Sequence, residues 1–279
     1  MQVFLAAILL VGCTQVAGGD GGDDLADLNR LNDLTDGKAD APGAWTSVGT
    51  GVAYRRLGAG EAVLIAYGGY TARLSDSGLW ASALVDAKLG AANVGHVYAV
   101  NGPADPGYDA QEIANTALRA HLAAHVAADS PIYVVAHSSG SFVAHEMLGQ
   151  LAARGDTATL GRIAYANLDG GGAGLTHTIV AALAKMEFVY AHDPTLSSGL
   201  SRNAGAALAN ADAYAPIATS FEVVVRNTGC QSGAGWCLHD VVITHRPHNP
   251  QSFDLADDYT DFVGRPVTTE YLDPLLAAR

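Results

Sequence analysis

The pattern that most limits what this chain can fold into is a series of short apolar runs separated by helix-length stretches. Residues 62–67 and 131–135 carry no charged residue and no polar alternation, and 94–100 is interrupted only by Gly95 and His96. A strand with one face in water alternates, so runs apolar on both faces must be covered on both. Between them, residues 74–89 and 109–127 have helical spacing, with Ile113, Ala117, Leu118, Leu122 and Val126 on one face of the second. Residues 46–57 read as one or two short strands, 162–168 as a strand after a further helix, and 221–225 as a late strand. This is an α/β chain with a mostly parallel central sheet flanked by helices, a three-layer sandwich. In such sheets reactive groups gather beyond the carboxyl ends of the strands. There is no internal repeat. The least regular region is 170–216, with Gly170-Gly171-Gly172 and a helical piece at 204–213; it fits a lid or substrate-binding insertion as well as a plain crossover helix.

One strand-to-helix junction carries chemistry. Ala136-His137-Ser138-Ser139-Gly140 follows the apolar run 131–135 and precedes an amphipathic stretch, 142–151. A serine at such a bend is the setting of a nucleophile elbow, G-x-S-x-G, here with Ala136 in place of the first glycine. A serine hydroxyl is a poor nucleophile until a base takes its proton, so it must stand clear of the sheet. The small residues Ala136 and Gly140 let the strained turn form. For the oxyanion, Ser139 offers one backbone N–H, and the turn after residues 62–67 offers a second, at Tyr70 or its neighbour Gly69.

The base should be a histidine late in the chain. His239, His245 and His248 cluster after the last strong strand, and each could reach the serine. Asn227-Thr228-Gly229-Cys230, six residues, Cys237 and then Pro247-His248 resembles the C-terminal signature of cutinases, small serine esterases of the α/β-hydrolase fold. The resemblance covers the elbow, the glycine turn after the first apolar strand and this stretch. It implies His248 as base. The spacing from Cys237 to the histidine differs by one residue, and Gln231-Ser232-Gly233-Ala234-Gly235-Trp236 lacks the carboxylate that cutinases carry inside the loop. The acid must come from elsewhere. Asp169, at the end of the strand after the elbow helix, is the first choice, and pancreatic-type lipases place theirs after the equivalent strand. Asp240 and Asp193 are the alternatives, and a turn aspartate before glycines is the plain reading of Asp169.

Composition closes off other classes. With 279 residues, 49% of them hydrophobic, the chain can bury a large core. A net charge of −13 argues against nucleic acid as partner. Residues 3–11 are apolar but too short to span a bilayer, and read as the core of a signal peptide, residues 1–12, although no Lys or Arg precedes them. Leu10-Val11-Gly12-Cys13 resembles a bacterial lipobox, which implies an acylated Cys13 and an exported, envelope-anchored chain. Residues 13–44, with seven aspartates against Arg30 and Lys38, read as a disordered acidic tether, leaving 45–279 as the catalytic domain. Lipidation would leave Cys230 and Cys237 as an even pair, which reads as a disulfide in an exported protein. The whole describes a monomeric serine hydrolase acting on small-molecule or lipid esters, meeting the membrane through its acyl anchor alone and using neither cofactor nor metal. The alternative is a catalytically silent surface lipoprotein of the same fold that binds a ligand.

Overall fold

The computed structural model of the chain describes residues 21–36, 43–103, 109–231, 235–247 and 266–277. Cys13 and the signal segment, and His248, lie outside them. The centre is one eight-stranded sheet: β1 (Thr46–Gly49), β2 (Val52–Arg56), β3 (Ala62–Tyr67), β4 (Val94–Val100), β5 (Ile132–His137), β6 (Ile163–Leu168), β7 (Lys185–His192) and β8 (Ala218–Val224). Their spatial order is β1-β2-β4-β3-β5-β6-β7-β8. The first two strands run antiparallel to their neighbours, and every pairing from β4 through β8 is parallel. This is the mostly parallel, helix-flanked sheet that the apolar strands predict.

Helices α2 (Leu74–Leu84, ending in a π-helical turn, Val85–Leu89), α3 (Asp109–His125), α4 (Gly140–Ala153), α5 (Thr157–Leu160), α6 (His177–Ala182) and α7 (Ala204–Ala213) lie in the connections. Two short helices, α8 (Val241–Thr244) and α9 (Leu272–Leu276), close the described chain. Successive strand residues feed two cores, one on each face. Tyr133 and Val135 pack with Trp80, Leu168 and Ile243, whereas Val134 and Ala136 pack with Leu118, Met147 and Phe188. At ~25 cal/mol per Å² of apolar surface, burying both faces is what holds the sheet.

Register places the site. Tyr67 pairs with Ala136, and His137 with Leu168, so three strands finish at one level. The residues that follow them, Gly68, Ser138 and Asp169, therefore emerge side by side at one edge.

Two regions depart from the sequence reading. Residues 21–36 are not tether but helix α1 (Gly21–Asp36). Leu28, Leu31 and Thr35 share a face and are buried, and a Cβ on Gly78 of α2 would lie 2.4 Å from the Leu31 side chain. The acidic composition hides this spacing, because its polar groups serve the backbone of the domain. Asp24 accepts from the Gly51 amide at 2.8 Å, and Asn32 pairs both backbone groups of Trp45 at 2.8 and 3.0 Å. The second departure is in 170–216, where strand β7 runs between α6 and α7; the two helices are plain connections, and α7 covers the expected 204–213.

Candidate active site

Ser138 follows the last residue of β5 at φ +53°, a left-handed conformation that a serine adopts only under constraint. Its amide still continues the sheet, donating to Leu168 O at 3.0 Å, while its carbonyl accepts from the Ser141 amide and hydroxyl at 3.1 and 2.7 Å. The chain thus reverses within two residues, and the Ser138 side chain is thrown outward. Gly140 is required here. A Cβ at that position would lie 2.2 Å from Gly68 O, so the elbow presses directly on the turn after β3. Among the described residues the amides of Ser139 and Tyr70 have no hydrogen-bond acceptor.

The ring that meets the serine is His239. Its Nε2 lies 2.8 Å from Ser138 Oγ, and its Nδ1 lies 2.5 Å from Asp169 Oδ2. The cutinase resemblance pointed to His248, which lies outside the described residues. His239 stands two residues after Cys237, and Cys230 and Cys237 form the expected disulfide, with Cα atoms 5.9 Å apart. The second residue beyond the bridge thus already reaches the nucleophile. His245 lies elsewhere: it ends α8 in a left-handed conformation, with Nε2 3.4 Å from Glu270.

Asp169 is where the sequence placed the acid. It leaves β6 at φ +44°, is fully buried, and donates its amide to Val189 O at 2.8 Å. Oδ1 accepts from Ser201 Oγ at 2.6 Å and from the Asn203 amide at 3.0 Å, leaving Oδ2 for the histidine. Asn203 also donates its side-chain amide to Asp169 O at 2.6 Å. A buried carboxylate is tolerable when its lone pairs are met in this way. Gly170 permits the turn, since a Cβ there would lie 2.2 Å from Asn167 Oδ1. Sequence reasoning missed Ser201 and Asn203. They sit in the β7–α7 loop and become visible only once β7 is recognised.

Neither alternative acid meets the ring of His239. Asp193 follows β7 and binds Thr195 through Oδ1 (amide at 2.9 Å, hydroxyl at 2.5 Å) and Thr228 through Oδ2 (amide at 3.1 Å, hydroxyl at 2.7 Å). The Thr195 hydroxyl first, then the Thr228 contacts, hold its carboxyl well below the usual carboxylate range, against the opposing cost of burial. Asp240 turns instead toward His137, 3.5 Å away. His137, His239 and Asp240 bring ligand atoms within 4.8 Å of one another, a spacing a metal could use. Both ring nitrogens of His239 are already engaged, by Ser138 and Asp169. On α4, His145 joins the site's scaffold: Nδ1 lies 2.7 Å from Ala173 O, Nε2 lies 3.0 Å from the Tyr165 hydroxyl, and burial pushes its pKa down to about 4.

The rim is aromatic. Trp236 meets His239 edge-on at 5.1 Å and carries the Arg202 guanidinium 3.5 Å above its ring. Trp236, Tyr70 and Leu200 are among the exposed large apolar side chains.

No family model and no curated protein matches the chain. Similar solved structures include a hormone-sensitive lipase from a metagenome library, 12% identical with a TM-score of 0.47, covering 87% of this chain and 91% of that one. An esterase from Pyrobaculum calidifontis is 12% identical with a TM-score of 0.46, covering 81% and 88%. A carboxylesterase from Bacillus subtilis is 8% identical with a TM-score of 0.43, covering 74% and 90%. At these identities the reading of the site rests on its own geometry.

Proposed function

We propose that the chain is a serine hydrolase that cleaves carboxylic esters through an acyl-enzyme intermediate. The observation that carries this reading is the continuous hydrogen-bond chain Ser138–His239–Asp169. His239 Nε2 takes the Ser138 proton as Oγ attacks the ester carbon. The negative oxygen that forms is met by the Ser139 and Tyr70 amides. His239 then gives the proton to the departing alkoxide, and a water molecule repeats the cycle to release the acid. Asp169 holds the imidazole with Nε2 facing the serine and stabilises its cation. The exposed aromatic rim favours hydrophobic acyl groups over charged ones. The disulfide is consistent with an oxidising, extracytoplasmic location, which keeps export and acylation at Cys13 as part of the proposal. The complete triad geometry argues against a silent binding module.

The test is hydrolysis of short p-nitrophenyl esters together with labelling by a fluorophosphonate. Wild type should turn over the ester and be labelled at Ser138. Ser138→Ala should lose at least about a thousandfold in kcat. Turnover that survives intact in that variant, or an unlabelled Ser138, overturns the reading.

A further inference from the structure

The elbow holds the base loop twice, through two consecutive residues. His137 is the last residue of β5 and Ser138 the first beyond it; opposite them lie Asp240 and His239, also consecutive. Ser138 receives the ring of His239, whereas His137 faces the backbone that carries that ring. His137 Nε2 lies 3.4 Å from His239 O and 3.5 Å from Asp240 Oδ1, with the two imidazole rings 4.8 Å apart. The His239 carbonyl demands the tautomer with its proton on Nε2, and the same N–H then faces the Asp240 carboxylate. His137 is fully buried, as are His239 and Asp240, each 1% exposed. Asp240 also starts α8, its backbone carbonyl accepting from the Ile243 and Thr244 amides at 2.9 and 3.0 Å. The carbonyl of the base residue is thus held by a donor fixed in the sheet, and the N-cap residue of the next helix lies against the same ring.

We propose that His137 is a positioning residue for the reaction assigned above, acting through His239 and not on the substrate. This rests on that assignment. The disulfide fixes the loop on the N-terminal side of His239, and His137 fixes it on the C-terminal side. A ring hinged at its Cα can be misaimed by rotation of its own backbone, and a misplacement of about 1 Å costs on the order of a hundredfold in rate. Phenylalanine at 137 keeps the ring volume and removes the donor; glutamine restores a donor at similar reach.

His137→Phe should lower kcat at least tenfold with KM unchanged, slow fluorophosphonate labelling in parallel, and shift or broaden the downfield proton resonance of His239 Nδ1–H. His137→Gln should recover most of the rate and the resonance. A kcat within twofold of wild type in His137→Phe, or equal losses in both variants, would overturn the proposal. If the phenylalanine variant does not fold, Asp240→Asn keeps the shape and weakens the grip. It should lower kcat about threefold, and wild-type kcat would count against the proposal. If Ser138→Ala proved as active as wild type, the catalytic reading would fall, but the His239 proton resonance would still decide whether His137 aims the ring.

Discussion

Two aspartates leave neighbouring strands of one sheet at the same edge, and only one of them faces a histidine. Asp169 follows β6 and Asp193 follows β7; both are fully buried and both accept hydrogen bonds from hydroxyls and backbone amides. Asp169 has one oxygen met by Ser201 and Asn203, and turns the other to His239. Asp193 gives both oxygens to threonines, Thr195 from its own loop and Thr228 from the segment after β8. Strand-end placement therefore makes a carboxylate available. What it does depends on which distant segment is brought against it.

The largest effect expected from breaking this comparison is in Asp169→Asn. An amide can still accept from Ser201, but it no longer holds the His239 tautomer that presents a bare Nε2 to the serine, a change that costs up to about ten-thousandfold in kcat. We expect kcat to fall by three to four orders of magnitude with the fold retained by circular dichroism. Asp193→Asn measured in parallel should keep kcat within threefold. Equal losses in the two variants would mean that both aspartates only support the loops.

The same contrast shows how much the sequence could say. The apolar runs, the elbow and Asp169 were legible because each is a local pattern: a strand's hydropathy, a turn's small residues, an acid where a strand ends. Helix α7 was read correctly for the same reason, from its alanine-rich spacing at 204–213. The base was not legible. Choosing among His239, His245 and His248 depends on the path of a loop that a disulfide closes, and no local pattern states that path. Strand β7 was missed because Lys185 and Glu187 break its hydropathy; the two neutralise each other at 3.1 Å beside the sheet. Helix α1 was hidden by composition. Its five aspartates mask the spacing of its four leucines, although burial of Leu28 and Leu31 decides the fold of that segment.

The disulfide joins the two carboxylate clusters, since Thr228 of the Asp193 cluster lies two residues before Cys230 and His239 two residues after Cys237. Closing a loop with a sequence separation of 7 removes on the order of 2–3 kcal/mol of unfolded-state entropy. The Cys230→Ala/Cys237→Ala double variant should lose about that much stability in urea melts. It should also lose about tenfold in kcat, because only the His137 side of the His239 loop then remains anchored. A variant that loses stability but keeps full kcat would show that Asp169 and His137 suffice to aim the ring.

The smallest expected effect separates the aspartates by pH. Donation from the Thr195 and Thr228 groups depresses the Asp193 carboxyl in the folded chain below its ordinary value of 3.8. The unfolded chain therefore binds a proton at higher pH than the folded one does. Stability from this group is present in full above the unfolded pKa and is lost as pH falls toward the folded value. Asp193→Asn should lower Tm by several degrees at pH 6, and the gap to wild type should close progressively below about pH 4. A gap that stays constant down to pH 3 would mean that the threonines hold Asp193 by shape alone. Its resemblance to Asp169 would then end at burial, with no shared use of charge.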